Sequence, residues 1–176
     1  MCGYLMDIIK KRRSVRHYEK REVNSEDLKE LVEAAIWAPS AGNRQSWYFG
    51  IITPKKAEQV INFSPGVYGD PPNLIVICSD RERAINEGGN TELCTIGTAM
   101  AAQNIMLLAT EKGLGTCAIK SYNDRARRKI LKVPEYIHIE LLISVGYSDE
   151  KITVPCRPDW EDVIFIDSWD GEDSDG

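Results

Sequence analysis

The sequence predicts an α+β fold, with one domain of helices arranged around a mixed central sheet. Three observations carry this. Runs rich in β-branched and aromatic residues at 47–53, 74–78, 116–119 and 137–147 read as strands. Apolar stripes at helical spacing, together with a long uncharged stretch over 93–110, read as helices between them. No repeat and no shift in composition divides the 176 residues, a length that suits one domain or one subunit whose core a partner completes.

In chain order, Met6 to Arg12 reads as a short helix whose lysines follow Ile8 and Ile9. Ser25 is the expected N-cap of a second helix. Glu26 and Asp27 are well placed for its dipole, and Leu28, Leu31, Val32, Ala35 and Ile36 form its apolar stripe. Pro39 ends it, because the residue before a proline is pushed out of the helical region. Trp47 to Thr53 is a strand, and Pro54 to Ile61 is a helix with proline at its tolerated early position. Pro65 to Pro72 is a loop, and Leu74 to Cys78 is a buried strand. Thr91 to Lys112 is the longest helix, about 33 Å, and its Ala99-Met100-Ala101-Ala102 run marks it as the core helix. Gly113 and Gly115 stop it before a strand at Thr116 to Ile119. Asn123 caps a basic helix through Leu131, Ile137 to Tyr147 is the last long strand, and Val163 to Ile166 is expected as a short exchanged or edge strand. The domain spans 1–166, and 167–176 is an acidic tail.

Charge and cysteine usage narrow the function. The chain carries 22 Lys+Arg and 27 Asp+Glu; five of the acids lie in 167–176, leaving 22 of each sign elsewhere. A neutral body argues against general nucleic-acid binding, so no nucleic-acid partner is expected. The five cysteines form no C-x-x-C pair and only two histidines are present, so neither a disulfide framework nor a metal site is indicated. The start lacks a signal-peptide run, and the uncharged 93–110 stretch contains three threonines, Gln103 and Asn104. A cytoplasmic location with no membrane partner is expected.

Several constellations could carry chemistry. Lys10-Lys11-Arg12-Arg13-Ser14-Val15-Arg16 reads as a solvated helix end or as an anion site, since arginine forks and a serine hydroxyl at a helix-to-loop corner match a phosphate. A nucleic-acid arm is a third reading, although Tyr18 is the one aromatic nearby. Ala38-Pro39-Ser40-Ala41-Gly42-Asn43-Arg44-Gln45-Ser46-Trp47 is either a connection or an edge for a planar heterocycle, because Asn43 and Gln45 each offer donor and acceptor. Gly113-Leu114-Gly115-Thr116-Cys117-Ala118 fits G-x-G-x-x-A but follows a helix and opens a strand, the reverse of a dinucleotide fingerprint. Arg157 is a lone cation in a proline-flanked loop that matters if the fold brings it to the first basic corner. No triad, phosphate loop or metalloprotease motif is present, so difficult chemistry would come from an organic cofactor.

Taken in order, these segments resemble the nitroreductase family of FMN-dependent oxidoreductases. The resemblance rests on Arg12-Arg13-Ser14-Val15-Arg16-His17-Tyr18, on Ala38 to Trp47, on Ala101-Ala102-Gln103-Asn104-Ile105 leading to Gly113-Leu114-Gly115-Thr116-Cys117, on Val145-Gly146-Tyr147 and on Arg157. It covers about residues 5 to 166. Ser46 stands where the family commonly has proline, and Ala118 where it commonly has tryptophan. The resemblance implies a nitroreductase-like intertwined homodimer with FMN at the subunit interface. It implies that Arg12, Ser14 and Arg157 hold the phosphate, with Arg13 in the same basic segment, and that Arg16 lies beside the pyrimidine end. Pro39, Ser40, Asn43 and Gln45 would reach the flavin from the other subunit, and Lys120 and Ser121 would bring backbone amides to its reactive edge. The implied activity is ping-pong hydride transfer from NAD(P)H through FMN to a nitroaromatic, quinone or similar small electron acceptor. A flavin-binding protein for sensing, storage or partner interaction is the alternative.

Overall fold

The computed structural model describes residues 3–151 and 153–169. The described residues form six α-helices and four strands in the order α1 (Tyr4–Lys11), α2 (Ser25–Ile36), β1 (Trp47–Ile52), α3 (Pro54–Ile61), β2 (Asn73–Asp80), α4 (Arg81–Asn86), α5 (Thr91–Glu111), β3 (Gly115–Ile119), α6 (Asp124–Leu131) and β4 (Ile137–Gly146). The strands make one sheet in the order β1-β2-β4-β3. The expected mixed sheet takes a simpler form: all three strand pairs are antiparallel, and the parallel component is a single bridge between Ser14 and Thr116.

The continuous apolar run of β2 follows from its place at the middle of the sheet. Ile75 and Ile77 face a core built with Leu28, Leu31 and Ala35 of α2 and Ala101, Ala102 and Ile105 of α5. Leu74, Val76 and Cys78 face a second core with Ala57 and Val60 of α3. Both faces are covered, so no polar alternation survives in the strand. The small residues of α5 let α2 and the sheet approach it closely. By length and composition α5 could cross a membrane; in this fold it is the helix on which the first core is assembled. Its end is tied to α2 by Lys112, whose Nζ lies 2.8 Å from Asp27 and 2.6 Å from Glu30. Gly113, at φ 73°, then supplies the left-handed turn into β3.

Local chemistry moves three boundaries. Asn24 is the N-cap of α2, its Oδ1 accepting from the Glu26 amide at 3.0 Å, so Ser25 is the first helical residue instead. Helix α4 is an element additional to those expected, capped by the Asp80 carboxylate accepting from the Arg83 amide. The strand expected at Val163 to Ile166 is replaced by a 3-10 turn at Trp160–Val163 followed by irregular backbone, with Val163, Ile164, Phe165 and Ile166 all exposed. Of the acidic tail expected over 167–176, residues 170–176 lie outside the described residues.

Candidate functional site

Helix α1 ends where its basic residues begin. Arg13 turns back on the helix, its Nη1 donating to the carbonyls of Lys10 and Arg12, which satisfies acceptors that the last turn leaves orphaned. The chain then runs extended past β3. The Val15 amide donates to the Thr116 carbonyl at 2.9 Å beside the Ser14–Thr116 bridge. Glu150 fastens the next residues, one carboxylate oxygen accepting from the amides of Arg16 (2.9 Å) and His17 (3.1 Å). These backbone donors hold the Glu150 carboxyl below its ordinary pKa. Tyr18 closes the corner, its hydroxyl 2.8 Å from the Val15 carbonyl and 2.7 Å from the Ser144 hydroxyl. Burial raises its pKa and keeps it neutral.

The end of helix α1 forms one wall of a cleft of about 640 Å³ lined by Lys10, Arg12, Arg13, Gln103 and the loop at 154–157, with Arg157 opposite; Ser14 and Arg16, further along the corner, do not line it. No acid lines it. Among the described residues, the Arg12 guanidinium and the Ser14 hydroxyl have no hydrogen-bond partner, and Arg157 Nη1 reaches only the adjacent Cys156 carbonyl. The Thr116 Oγ1, buried beside the Ser14 bridge, is likewise without a partner. The fold therefore joins Arg157 to the first basic segment across most of the chain and leaves guanidinium donors of the kind an anion would need unspent.

Gly115 makes this junction possible. A Cβ there would meet the Cβ and both γ-carbons of Val15 at 2.8–2.9 Å. Those atoms are fixed to the backbone of the basic segment, so Gly115→Ala is expected to push that segment off β3. We expect a loss of upward of about 1 kcal/mol in urea unfolding. Stability equal to wild type would show that the segment is not seated on β3 as described.

The second segment forms a strained loop. A 3-10 turn at Ala41–Asn43 carries Gly42 at φ 59°, and Asn43 and Gln45 also adopt positive φ, 53° and 48°. Such non-glycine conformations cost of order 1–3 kcal/mol each and persist where the surroundings dictate them. Here Ser40 Oγ accepts from the Gln45 amide at 3.1 Å, and Gln45 Nε2 donates to Asn43 Oδ1 at 3.0 Å. Arg44 is a residue the sequence reading missed. Its Nη1 donates to the Ala41 carbonyl and its Nε to the Glu87 carbonyl just beyond α4, both at 2.8 Å. Its position inside the quoted loop was the available signal. Pro39, Asn43 and Gln45 are exposed, and neither they nor Ser40 line the basic cleft of their own chain.

Lys120 and Ser121 lie just past the far end of β3, about 13 Å from Thr116 at ~3.3 Å per residue. The Ser121 carbonyl accepts from Gly66. Lys120 folds across the sheet edge, its Nζ 2.7 Å from the Glu140 carbonyl. Neither lines the cleft; β3 connects them to it.

Comparison with known proteins bears on the family and the fold. The Nitroreductase family model matches residues 9–68 and 62–147. A protein of Methanothermobacter thermautotrophicus, provisionally named an NADH dehydrogenase/NAD(P)H nitroreductase, is 32% identical over 155 residues, which covers 83% of this chain and 78% of that protein. The crystal structure of a Parabacteroides distasonis protein with the same provisional name superposes with a TM-score of 0.81 at 28% identity, over 95% of this chain and 99% of that one. An FMN-dependent nitroreductase from Clostridium difficile is similar at a TM-score of 0.77 and 31% identity, over 90% and 96% of the two chains. The fold, the order of the segments and these matches lead to one conclusion: the chain belongs to the nitroreductase family.

Proposed function

We propose that this protein is an FMN-dependent oxidoreductase that takes hydride from NAD(P)H and passes it, in a ping-pong cycle, to a nitroaromatic, quinone or similar small electrophile. It acts as a homodimer in the cytoplasm. The observation that carries the reading is the acid-free cleft in which Arg12 and Arg157 converge with unspent donors. A phosphate monoester fits that donor set, because guanidinium forks match its oxygens and no protein carboxylate competes for them. The relatives named for FMN and NAD(P)H dependence support the same assignment.

When bound, FMN supplies the hydride chemistry. Arg12, Ser14 and Arg157 hold its phosphate. Arg13 supports them from the helix end, since its Nη1 is committed to main-chain carbonyls. Arg16, tied by its amide to Glu150, would supply a permanent positive charge to the pyrimidine edge, which gains negative charge on reduction. The segment at Lys120 and Ser121 offers main-chain donors to the reactive edge without adding a titrating group.

The loop at Pro39, Ser40, Asn43 and Gln45 serves the cofactor of the other subunit, which accounts for strained, exposed amides that do not line the basic cleft of their own chain. A wide apolar surface favours the dimer: Tyr4, Leu5, Ile36, Trp37, Ile96 and Met100 are all exposed, Trp37 at 80%. Large apolar side chains exposed on α1, α5 and the end of α2 are the kind of surface through which chains associate.

The test is an absorbance spectrum of the purified protein and identification of what heat releases. The expected result is about one FMN per chain, bleached by NADH or NADPH and released when the dimer is diluted apart. A colourless protein that FMN cannot reconstitute would refute the cofactor assignment. Bound FMN that neither nucleotide reduces would refute the enzyme and leave a flavin-binding sensor or store.

A further inference from the structure

The inner end of β4 contains a break in the sheet that no main-chain pairing repairs. The β2–β4 register passes from Ile77↔Leu141 to Cys78↔Ile139, so Glu140 has no partner across the ladder. On the other side, β3 pairs with β4 only as far as Ile119↔Leu142. Glu140 is thus a bulge residue whose polar groups must be satisfied by side chains.

Its carboxylate, 2% exposed, accepts from the Ser79 hydroxyl at 2.7 Å and from Arg81 through Nε (3.1 Å) and Nη2 (2.9 and 3.2 Å). Its carbonyl accepts from Lys120 Nζ at 2.7 Å, with the Tyr122 hydroxyl 3.1 Å away. Lys120 Nζ also lies 3.7 Å from the carboxylate. Burial would push this carboxyl up, but the Ser79 and Arg81 donors outweigh it and hold the pKa below its ordinary value. The bulge residue therefore ties the end of β2 and the start of α4 to β4 through its buried, ionised carboxylate, and the first residue beyond β3 through its carbonyl.

We infer that the bulge at Glu140 is a positioning element: by taking the Lys120 ammonium on its main-chain carbonyl it fixes where the chain leaves β3, and so where the main chain of Lys120 and Ser121 stands at the flavin's reactive edge. This rests on the FMN reading above. The ordinary function of a lysine at such a place would be contact with solvent or substrate. Here the side chain, although 61% exposed, donates to the bulge carbonyl, and the geometry it secures is that of its own backbone.

The experiment uses FMN-loaded wild-type protein beside Lys120→Met and Lys120→Arg. Lys120→Met keeps an unbranched chain and removes the donor. It is expected to weaken FMN about three- to tenfold, somewhat less than a full charged hydrogen bond because the ammonium is largely exposed, and to shift the visible flavin bands. Lys120→Arg, which can still donate to the Glu140 carbonyl, is expected to restore both. A Lys120→Met protein with the wild-type affinity and the wild-type spectrum would overturn the inference. So would a loss that Lys120→Arg fails to restore. A wild-type chain that takes up no FMN would overturn the cofactor assignment and the inference with it, so the two failures are told apart by the wild-type titration alone.

Discussion

Arg12→Ala is expected to bind FMN about ten- to a hundredfold more weakly than wild type, the loss of one charge-assisted hydrogen bond of roughly 1.5–3 kcal/mol, while the apo protein unfolds as before. The two halves of this result come from one observation. The Arg12 guanidinium has no partner among the described residues, so its removal leaves no protein group orphaned. Arg13→Ala should behave in the opposite way. Its Nη1 satisfies the Lys10 and Arg12 carbonyls, so its loss lowers stability and weakens FMN less. Arg157→Ala should resemble Arg12→Ala, and the double variant should lose less than the sum, because both would act on one phosphate. Fluorescence titration of apo protein with FMN, paired with urea unfolding, separates these cases. An Arg12→Ala protein that matches wild type in FMN affinity would remove Arg12 from the phosphate site.

The different fates of these two neighbouring arginines show where sequence stops being informative. Composition and order identified the basic segment, and the resemblance assigned it a phosphate. Nothing in the residue types says that Arg13 folds back on the helix while Arg12 faces a cleft; that depends on where the chain leaves α1. Arg157 could be joined to them only by the tertiary fold. The strands and long helices were legible because each buries a periodic or continuous apolar face. Sheet direction was not, since a strand covered on both faces reads alike in parallel and antiparallel company, as β2 shows. Helix α4 escaped because only Ala84 of its six residues is buried and its start depends on one Asp80 cap. Asn24 and Ser25 are both good capping residues, and the backbone of the preceding turn chose between them. The Glu140 bulge was invisible because a register shift leaves no mark on the strand's own apolar pattern.

Arg127→Met is expected to stabilise the protein, by about 1–4 kcal/mol if it follows other replacements of buried ions by apolar residues of similar size. Helix α6 reads as uniformly basic, with Arg125, Arg127, Arg128 and Lys129 in eight residues. Yet Arg127 shares its face with Ile130 and Leu131, which pack on the second core, and it is fully buried. Its Nε, Nη1 and Nη2 have no hydrogen-bond partner among the described residues; the guanidinium lies over the Tyr122 ring. Burial pushes its pKa down to about 10. Cation–π attraction of about 2 kcal/mol when desolvated offsets only part of the desolvation of a whole charge. Methionine keeps an unbranched chain of comparable reach and needs no partner. The adjacent Arg128 provides the contrast. It bonds to Asp124 at 2.7 Å and donates to the carbonyls of Pro134 (3.0 Å) and Ile137 (2.7 Å), so Arg128→Met should destabilise by leaving those acceptors unpaired. Two substitutions one residue apart, chemically identical, are thus expected to move the melting temperature in opposite directions, by about 2–4 °C per kcal/mol for a chain of this size. If Arg127→Met melts below wild type, the buried cation is compensated in the folded protein, and its role is closer to that of Arg128 than its bare surroundings indicate.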